Sequence, residues 1–149
     1  MSTTIEICDC RPVQLVSALT ELWEQSVRAS HHFLNESNIS NLRPVVEQAL
    51  KEIPVLAVAR YGNEIAGFIG VAEKKIEMLF VRPSYFGNGI GRSFLDWAIN
   101  NYNVEYIDVN EQNEKAASIY LHWGFKVYER TELDDYGNPF PILKMRLLK

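Results

Sequence analysis

Apolar residues recur along this chain with two different periods, and the points where the period changes mark out its elements. Thr4 to Cys10 sets Ile5 and Ile7 between polar neighbours, which is the two-residue alternation of a strand. Pro12 suits the first turn of a helix, where its missing N–H costs nothing, and Leu15, Val16, Leu19, Leu22, Trp23 and Val27 then follow at helical spacing. A second helix is expected from an N-cap at Ser40 through Val45, Val46, Ala49 and Leu50, ending near Pro54. Val55 to Tyr61 and Ile65 to Ala72 are apolar runs parted by Gly62-Asn63-Glu64, a hairpin composition, and a third strand from Lys75 to Val81 closes at Pro83. At Gly89 the period returns to that of a helix, carried by Ile90, Phe94, Leu95, Ala98, Ile99 and Tyr102. Tyr106 to Val109 reads as a short strand, Asn113 to Trp123 as a helix stopped by Gly124, and Phe125 to Glu132 and Ile142 to Leu148 as two closing strands.

Hairpin strands beside strand–helix–strand units imply the α/β class, more narrowly an α+β mixed sheet flanked by about four helices. With 149 residues, 47% of them hydrophobic, residues 1–149 are expected to form one domain, and no repeat or Pro/Gly/Ser-rich linker divides them. The net charge of −4 argues against a surface that neutralises nucleic-acid phosphates, so no nucleic-acid partner is expected. Apolar runs such as Ala66 to Ala72 are too short to span a bilayer, and Met1-Ser2-Thr3-Thr4 lacks the features of a signal peptide, which implies a cytoplasmic protein without a membrane partner. Cys8 and Cys10 would share one face of a strand, which suits reduced packing residues better than a mutual disulfide. Without a second Cys or His cluster, no metal is expected.

The run Leu79-Phe80-Val81-Arg82-Pro83-Ser84-Tyr85-Phe86-Gly87-Asn88-Gly89-Ile90-Gly91-Arg92 joins a strand to a helix through three glycines. Bare backbone N–H groups can converge there on an anion at the positive end of the helix, although close packing of helix on strand would also select small residues. A P-loop is excluded because Arg92-Ser93 follows the last glycine in place of Lys and Ser or Thr. A dinucleotide fingerprint is excluded by the Gly-x-Gly-x-Gly spacing and the mid-chain position.

This segment resembles motif A of the GNAT acetyltransferase superfamily, Gln/Arg-x-x-Gly-x-Gly/Ala, whose turn binds the pyrophosphate of coenzyme A. Gly89 and Gly91 match its glycines, while Phe86 replaces the usual Gln or Arg, a change that removes a polar side chain and no backbone donor. Downstream, Asn113-Glu114-Lys115-Ala116-Ala117-Ser118-Ile119-Tyr120-Leu121-His122-Trp123-Gly124-Phe125 is similar to motif B, Asn-x-x-Ala-x-x-x-Tyr-x-x-x-Gly-Phe, without a gap. Ser30-His31-His32-Phe33-Leu34 and the stretch Asp134 to Leu143 are similar to the YjaB-like branch of bacterial acetyltransferases, so the resemblance reaches both ends of the chain.

The resemblance implies an N-acetyltransferase that uses acetyl-CoA as co-substrate and needs no metal. Coenzyme contacts are then expected from Leu79, Phe80, Val81, Phe86, Gly87, Asn88, Gly89, Ile90, Gly91, Arg92, Asn113 and Tyr120, with the Leu79 N–H at the acetyl oxygen and Val81 beside the pantetheine. The reaction requires a deprotonated primary amine, an oxyanion donor and a proton for the departing thiolate. Tyr120 is the expected proton donor and Glu77 the expected base, the latter because it precedes Leu79 by two and would share its face of the strand, with Glu73 in reserve. On the residues alone, Tyr120 also fits a core aromatic and Glu77 an ion pair with Lys74 or Lys75. His31 and Phe33 are expected to border the acceptor, near His32, Trp23, Tyr136 and Phe140; a helix-end cap for the histidine and core filling for the aromatics are the plainer readings. Asp134 and Asp135 would draw a cationic amine or simply form a turn beside Gly137. Homodimers are common among such folds. An acyl-CoA-binding sensor without catalysis is the alternative function.

Overall fold

The computed structural model describes residues 3–148; Met1, Ser2 and Lys149, which the sequence reading included in the domain and its start, lie outside the described residues. Twelve segments follow the expected order: β1 (Thr3–Ile7), α1 (Val13–Ser30), α2 (Glu36–Glu52), β2 (Val55–Tyr61), β3 (Glu64–Ala72), β4 (Lys75–Val81), a 3-10 turn (Pro83–Tyr85), α3 (Ile90–Tyr102), β5 (Tyr106–Asn110), α4 (Glu114–Trp123), β6 (Phe125–Thr131) and β7 (Ile142–Leu147). The strands form one mixed sheet in the order β1-β2-β3-β4-β5-β7-β6. Each face carries its own core. Phe94, Leu95, Ala98, Ala117, Tyr120 and Phe125 pack with Ile69, Val71, Ile76 and Ile107 on the α3/α4 face. Val16, Leu19, Leu22, Trp23, Val27 and Leu50 pack with Leu56, Val58, Phe68 and Met78 on the α1/α2 face.

Two boundaries differ from expectation. Helix α2 begins at Glu36, ahead of the expected cap at Ser40, because Asn35 and Asn38 satisfy each other's backbone N–H at 2.9 and 2.8 Å in a reciprocal capping box. β1 stops at Ile7, so Cys8 and Cys10 leave the strand and remain free thiols. The Arg11 guanidinium accounts for the departure, since it donates to the carbonyls of Cys8, Leu50 and Ile53 and ties this segment to the end of α2.

Two irregularities shape β4, although the β2/β3 and β6/β7 pairings also carry register shifts. Its parallel pairing with β5 extends only over Lys75↔Tyr106 and Ile76↔Ile107, beyond which β5 pairs with β7 alone. In its antiparallel pairing with β3, Gly70 faces Met78 while the adjacent Val71 faces Ile76, so Glu77 is an extra, bulged residue. The inserted residue shifts the strand's alternation by one. Ile76 and Leu79 therefore both pack toward α3 and α4, whereas Met78 and Phe80 pack toward α1.

β4 also lies close against β3. A Cβ on Gly67 would stand 2.7 Å from the Phe80 carbonyl oxygen and 3.3 Å from the Phe94 ring. Gly67→Ala is expected to cost about 2 kcal/mol by forcing these strands apart. A lower urea midpoint at unchanged m would show it, and an unchanged midpoint would contradict the close approach.

Candidate active site

Where β4 and β5 part, a cleft of about 950 Å³ passes between them and opens on both faces of the sheet. Ser26, Ala29, Ser30, His31 and His32 line it from the α1 side, and Ile90, Leu95, Asn113, Ala116 and Tyr120 from the α3/α4 side. The bulge determines which main-chain groups face the opening. Arg82 donates its N–H to Ala66 of β3 at 2.7 Å, so alternation directs the amides of Phe80 and Arg82 toward β3 and those of Leu79 and Val81 toward the gap. No strand lies there to pair with them. Without the extra residue, Met78 and Phe80 would present their amides instead.

At one end of the cleft lies the glycine turn. Gly87 and Gly89 adopt positive φ (81° and 80°), and a Cβ added at Gly87, Gly89 or Gly91 would meet no atom within 4 Å, so it would project into open space. The glycines therefore serve the turn and leave its surface bare, and packing of helix on strand does not require them. Helix α3 starts its own bonding with Ser93 N–H to the Gly89 carbonyl at 3.0 Å. The N–H groups of Gly89, Ile90, Gly91 and Arg92 precede that bond and have no carbonyl of the helix to serve them, at the positive end of its dipole. An anionic diphosphate fits this cradle. Phe86 is partly exposed beside it and lines the same cleft.

Three titratable groups meet the cleft in different surroundings. Tyr120, only 8% exposed and packed edge-on against Phe125 at 6.3 Å, is held protonated because burial pushes its phenol well above the usual tyrosine range. Glu77 is raised above the ordinary glutamate value chiefly by burial, opposed by the Lys75 ammonium and reinforced by Asp108 and Asp135. His31 is lowered to about 4 by burial and, secondarily, by His32.

Glu77 does not share the face of Leu79. Ile107 and Val109 point into the α3/α4 core, so Asp108 between them points to the α1 face, and Lys75 follows it through a 2.8 Å bond. Lys75 also lies 3.9 Å from Glu77, which places that carboxylate on the α1 side of the cleft. The bulge is the reason that counting by two from Leu79 fails. Asp108 is therefore a cleft residue that the sequence reading missed, although alternation within its own strand marks it as facing away from the core.

The remaining candidates separate clearly. Phe33 packs at a tilt against His31 at 5.4 Å and Phe140 at 5.2 Å; His31 and Phe80 line the cleft, while Phe33 and Phe140 back this aromatic wall without lining it. Trp23 is buried in the α1/α2 core. Glu73 sits in the exposed turn between β3 and β4 with φ 56° and does not line the cleft. Asp134 accepts from the N–H groups of Tyr136 and Asn138 at 2.9 and 2.8 Å, the work of a turn former, while Asp135 and the exposed Tyr136 stand nearer Glu77. Among the described residues no cluster of His, Cys, Asp and Glu could hold a metal ion, and no helix is long and apolar enough to cross a membrane.

Comparison with known proteins identifies relatives in sequence and in fold. The model of the Acetyltransferase (GNAT) domain family matches residues 19–148. The chain is 34% identical over 127 residues to the peptidyl-lysine N-acetyltransferase YjaB of Salmonella typhimurium, covering 85% of this chain and 88% of that protein. The solution structure of apo-form YjaB from Escherichia coli superposes with a TM-score of 0.88 at 32% identity, covering 99% of both chains. The PaiA N-acetyltransferase of Thermoplasma acidophilum, solved with coenzyme A, shares the fold with a TM-score of 0.71 at 22% identity, covering 98% of this chain and 99% of its own.

The partial burial of His31 has a consequence for stability. The unfolded chain takes up a proton near the ordinary value of 6.5, whereas the folded imidazole does so only near 4. Stability from this group is therefore fully present above about pH 6.5 and is lost as pH falls toward about 4, by up to about 3 kcal/mol. Urea unfolding across that window should show the acid-side loss in the unaltered protein and a shallower loss in His31→Gln. Equal slopes in the two would contradict the enclosed, neutral ring.

Proposed function

The chain belongs to the GNAT acetyltransferases, and we propose that it transfers an acetyl group from acetyl-CoA directly to a primary amine, that of a lysine side chain in a peptide. The observation that carries this reading is the gap beside β4, where the unpaired Leu79 and Val81 amides lie between a bare helix N-terminus on one side and a carboxylate on the other. Acetyl-CoA supplies the activated acetyl thioester. Gly89 to Arg92 hold its diphosphate with backbone N–H groups, whereas the Asn88 N–H is already given to the Tyr85 carbonyl at 3.3 Å; Val81 lies along the pantetheine arm, and Asn113 at the cap of α4 adds a side-chain amide. The Leu79 N–H is the donor for the acetyl oxygen, and its orientation is set in advance by the sheet.

The acceptor enters from the α1 face, between the aromatic wall of His31, Phe33 and Phe140 and the carboxylates Glu77, Asp108 and Asp135. A lysine ammonium, with an ordinary pKa of about 10.4, must lose a proton before its nitrogen can attack. Glu77 receives that proton, and its raised affinity for protons brings it closer to neutral pH than a solvated glutamate. Tyr120 retains its own proton until the carbon–sulfur bond breaks and then delivers it to the sulfur. The nitrogen–carbon bond formed replaces the carbon–sulfur bond lost, with one proton taken and one given. The alternative of a non-catalytic acyl-CoA sensor draws on Phe86 and on the absence of a base marked by the sequence; Phe86 leaves every backbone donor of the cradle in place, and the raised Glu77 carboxyl lines the cleft.

Release of free thiol from acetyl-CoA, measured with lysine-containing peptides, free lysine and polyamines, tests the assignment. Peptide lysine should be acetylated, and Tyr120→Phe should lower kcat about 100-fold with a smaller change in KM. The carboxylate form of Glu77 is the active one, so kcat should fall as pH drops through a value above the ordinary 4.5 of glutamate, and Glu77→Gln should abolish that limb. Thiol release that is absent with every amine, or indifferent to both substitutions, would refute the proposal.

A further inference from the structure

One imidazole links the end of α1 to the start of α4, and hydrogen-bond accounting along that link allows a single arrangement. The Ser30 hydroxyl lies 2.7 Å from the Ser26 carbonyl and 2.8 Å from His31 Nδ1. A carbonyl only accepts and a hydroxyl has one proton, so that proton is committed to Ser26. Toward His31 the Ser30 oxygen is then an acceptor, which places the ring proton on Nδ1 and leaves Nε2 bare.

The other end obeys the same logic. Asn113 caps α4 by accepting the Ala116 N–H on Oδ1 at 3.4 Å. A backbone N–H only donates, so the amide orientation is fixed and its Nδ2 donor points at His31 Nε2, 3.4 Å away. Donor meets lone pair. Phe33 and Phe80 stand against the ring at 5.4 and 6.5 Å between centroids and hold its plane. The link runs Ala116, Asn113, His31, Ser30, Ser26, with a backbone group at each end setting its direction.

We infer that His31 is a positioning residue for the coenzyme: its Nδ1–H tautomer, held by Ser30, leaves Nε2 free to orient the Asn113 amide and the first turn of α4 toward the cleft. This rests on the reading that the cleft binds acetyl-CoA. The role differs from that of a base or proton relay, because the bare nitrogen is already engaged by a donor that never gives up its proton. It also joins the two sides of the cleft, since Phe33 and Phe140 extend the acceptor-side wall from the same ring.

Two measurements test it. Long-range proton–nitrogen correlation of the imidazole at neutral pH should show His31 in the Nδ1–H form, and Ser30→Ala should abolish that preference. Calorimetry with acetyl-CoA should find binding about three- to tenfold weaker in His31→Ala, the worth of one net hydrogen bond. His31→Gln, which keeps an acceptor for Asn113, should recover most of that affinity. An Nε2–H tautomer in a protein that binds acetyl-CoA overturns the role of His31 and leaves the acetyltransferase reading standing, as does equal weakening in the Ala and Gln variants or none in either. Absence of binding to the unaltered protein would overturn both.

Discussion

Past Ile76 the outer edge of β4 has no strand beside it, and the rest of the site is arranged around that absence. An unpaired strand edge inside a protein is normally a liability, because each amide left without a partner costs free energy. Here the edge opens into a cleft, where water or a ligand can take the place of the missing strand. The bulge at Glu77 decides which amides are offered, since one extra residue opposite β3 turns Leu79 and Val81 outward. Close contact at Gly67 and the Arg82 bond to Ala66 hold the other edge of the strand to β3, so the offered groups are rigid. Donors fixed in advance need no reorganisation when charge develops on an acyl oxygen.

The two faces of the gap have opposite electrostatic character. On the α3/α4 face a helix N-terminus and its bare amides favour an anion. On the α1 face Glu77, Asp108 and Asp135 gather negative charge, moderated by Lys75 through the 2.8 Å bond to Asp108. An anionic donor molecule and a cationic acceptor would thus reach the same pair of strands from opposite sides, each guided by local charge although the chain as a whole carries −4. Burial then sorts the titratable groups, keeping Tyr120 protonated and His31 neutral while leaving Glu77 partly solvated.

The direction of the cradle's donors does not depend on the side chain of Phe86 beside it. The cradle consists of N–H groups whose direction follows from the positive φ of Gly87 and Gly89 and from the start of α3, none of which depends on the side chain at position 86. Replacing a polar residue there by phenylalanine alters the rim of the cleft while its donors stay in place. Asn113 and His31 are different, because they meet through side-chain atoms, Asn113 held also by the Ala116 N–H and His31 by Ser30.

Element types were legible in the sequence because the periods that announce them are local. The buried stripe of α1, the hairpin of β2 and β3 and the switch to helical spacing at Ile90 all appear where the pattern placed them. The glycine turn and the Asn113-to-Phe125 run were legible for a related reason, since residue identity at short spacing carries their chemistry. The start of α2 was also locally written, in Asn35 and Asn38, but a reciprocal asparagine pair announces a cap less plainly than Ser40 does. Other features depended on partners distant in the chain. β7 inserts between β5 and β6, β1 ends where Arg11 reaches the end of α2, and Glu77 faces away from Leu79 because β3 fixes a register with one residue to spare. His31 meets Asn113 across a separation of 82 residues. Periodicity reports which side of its own axis a residue occupies, whereas pairing is settled by which backbone groups elsewhere are still free, and only the assembled sheet determines that.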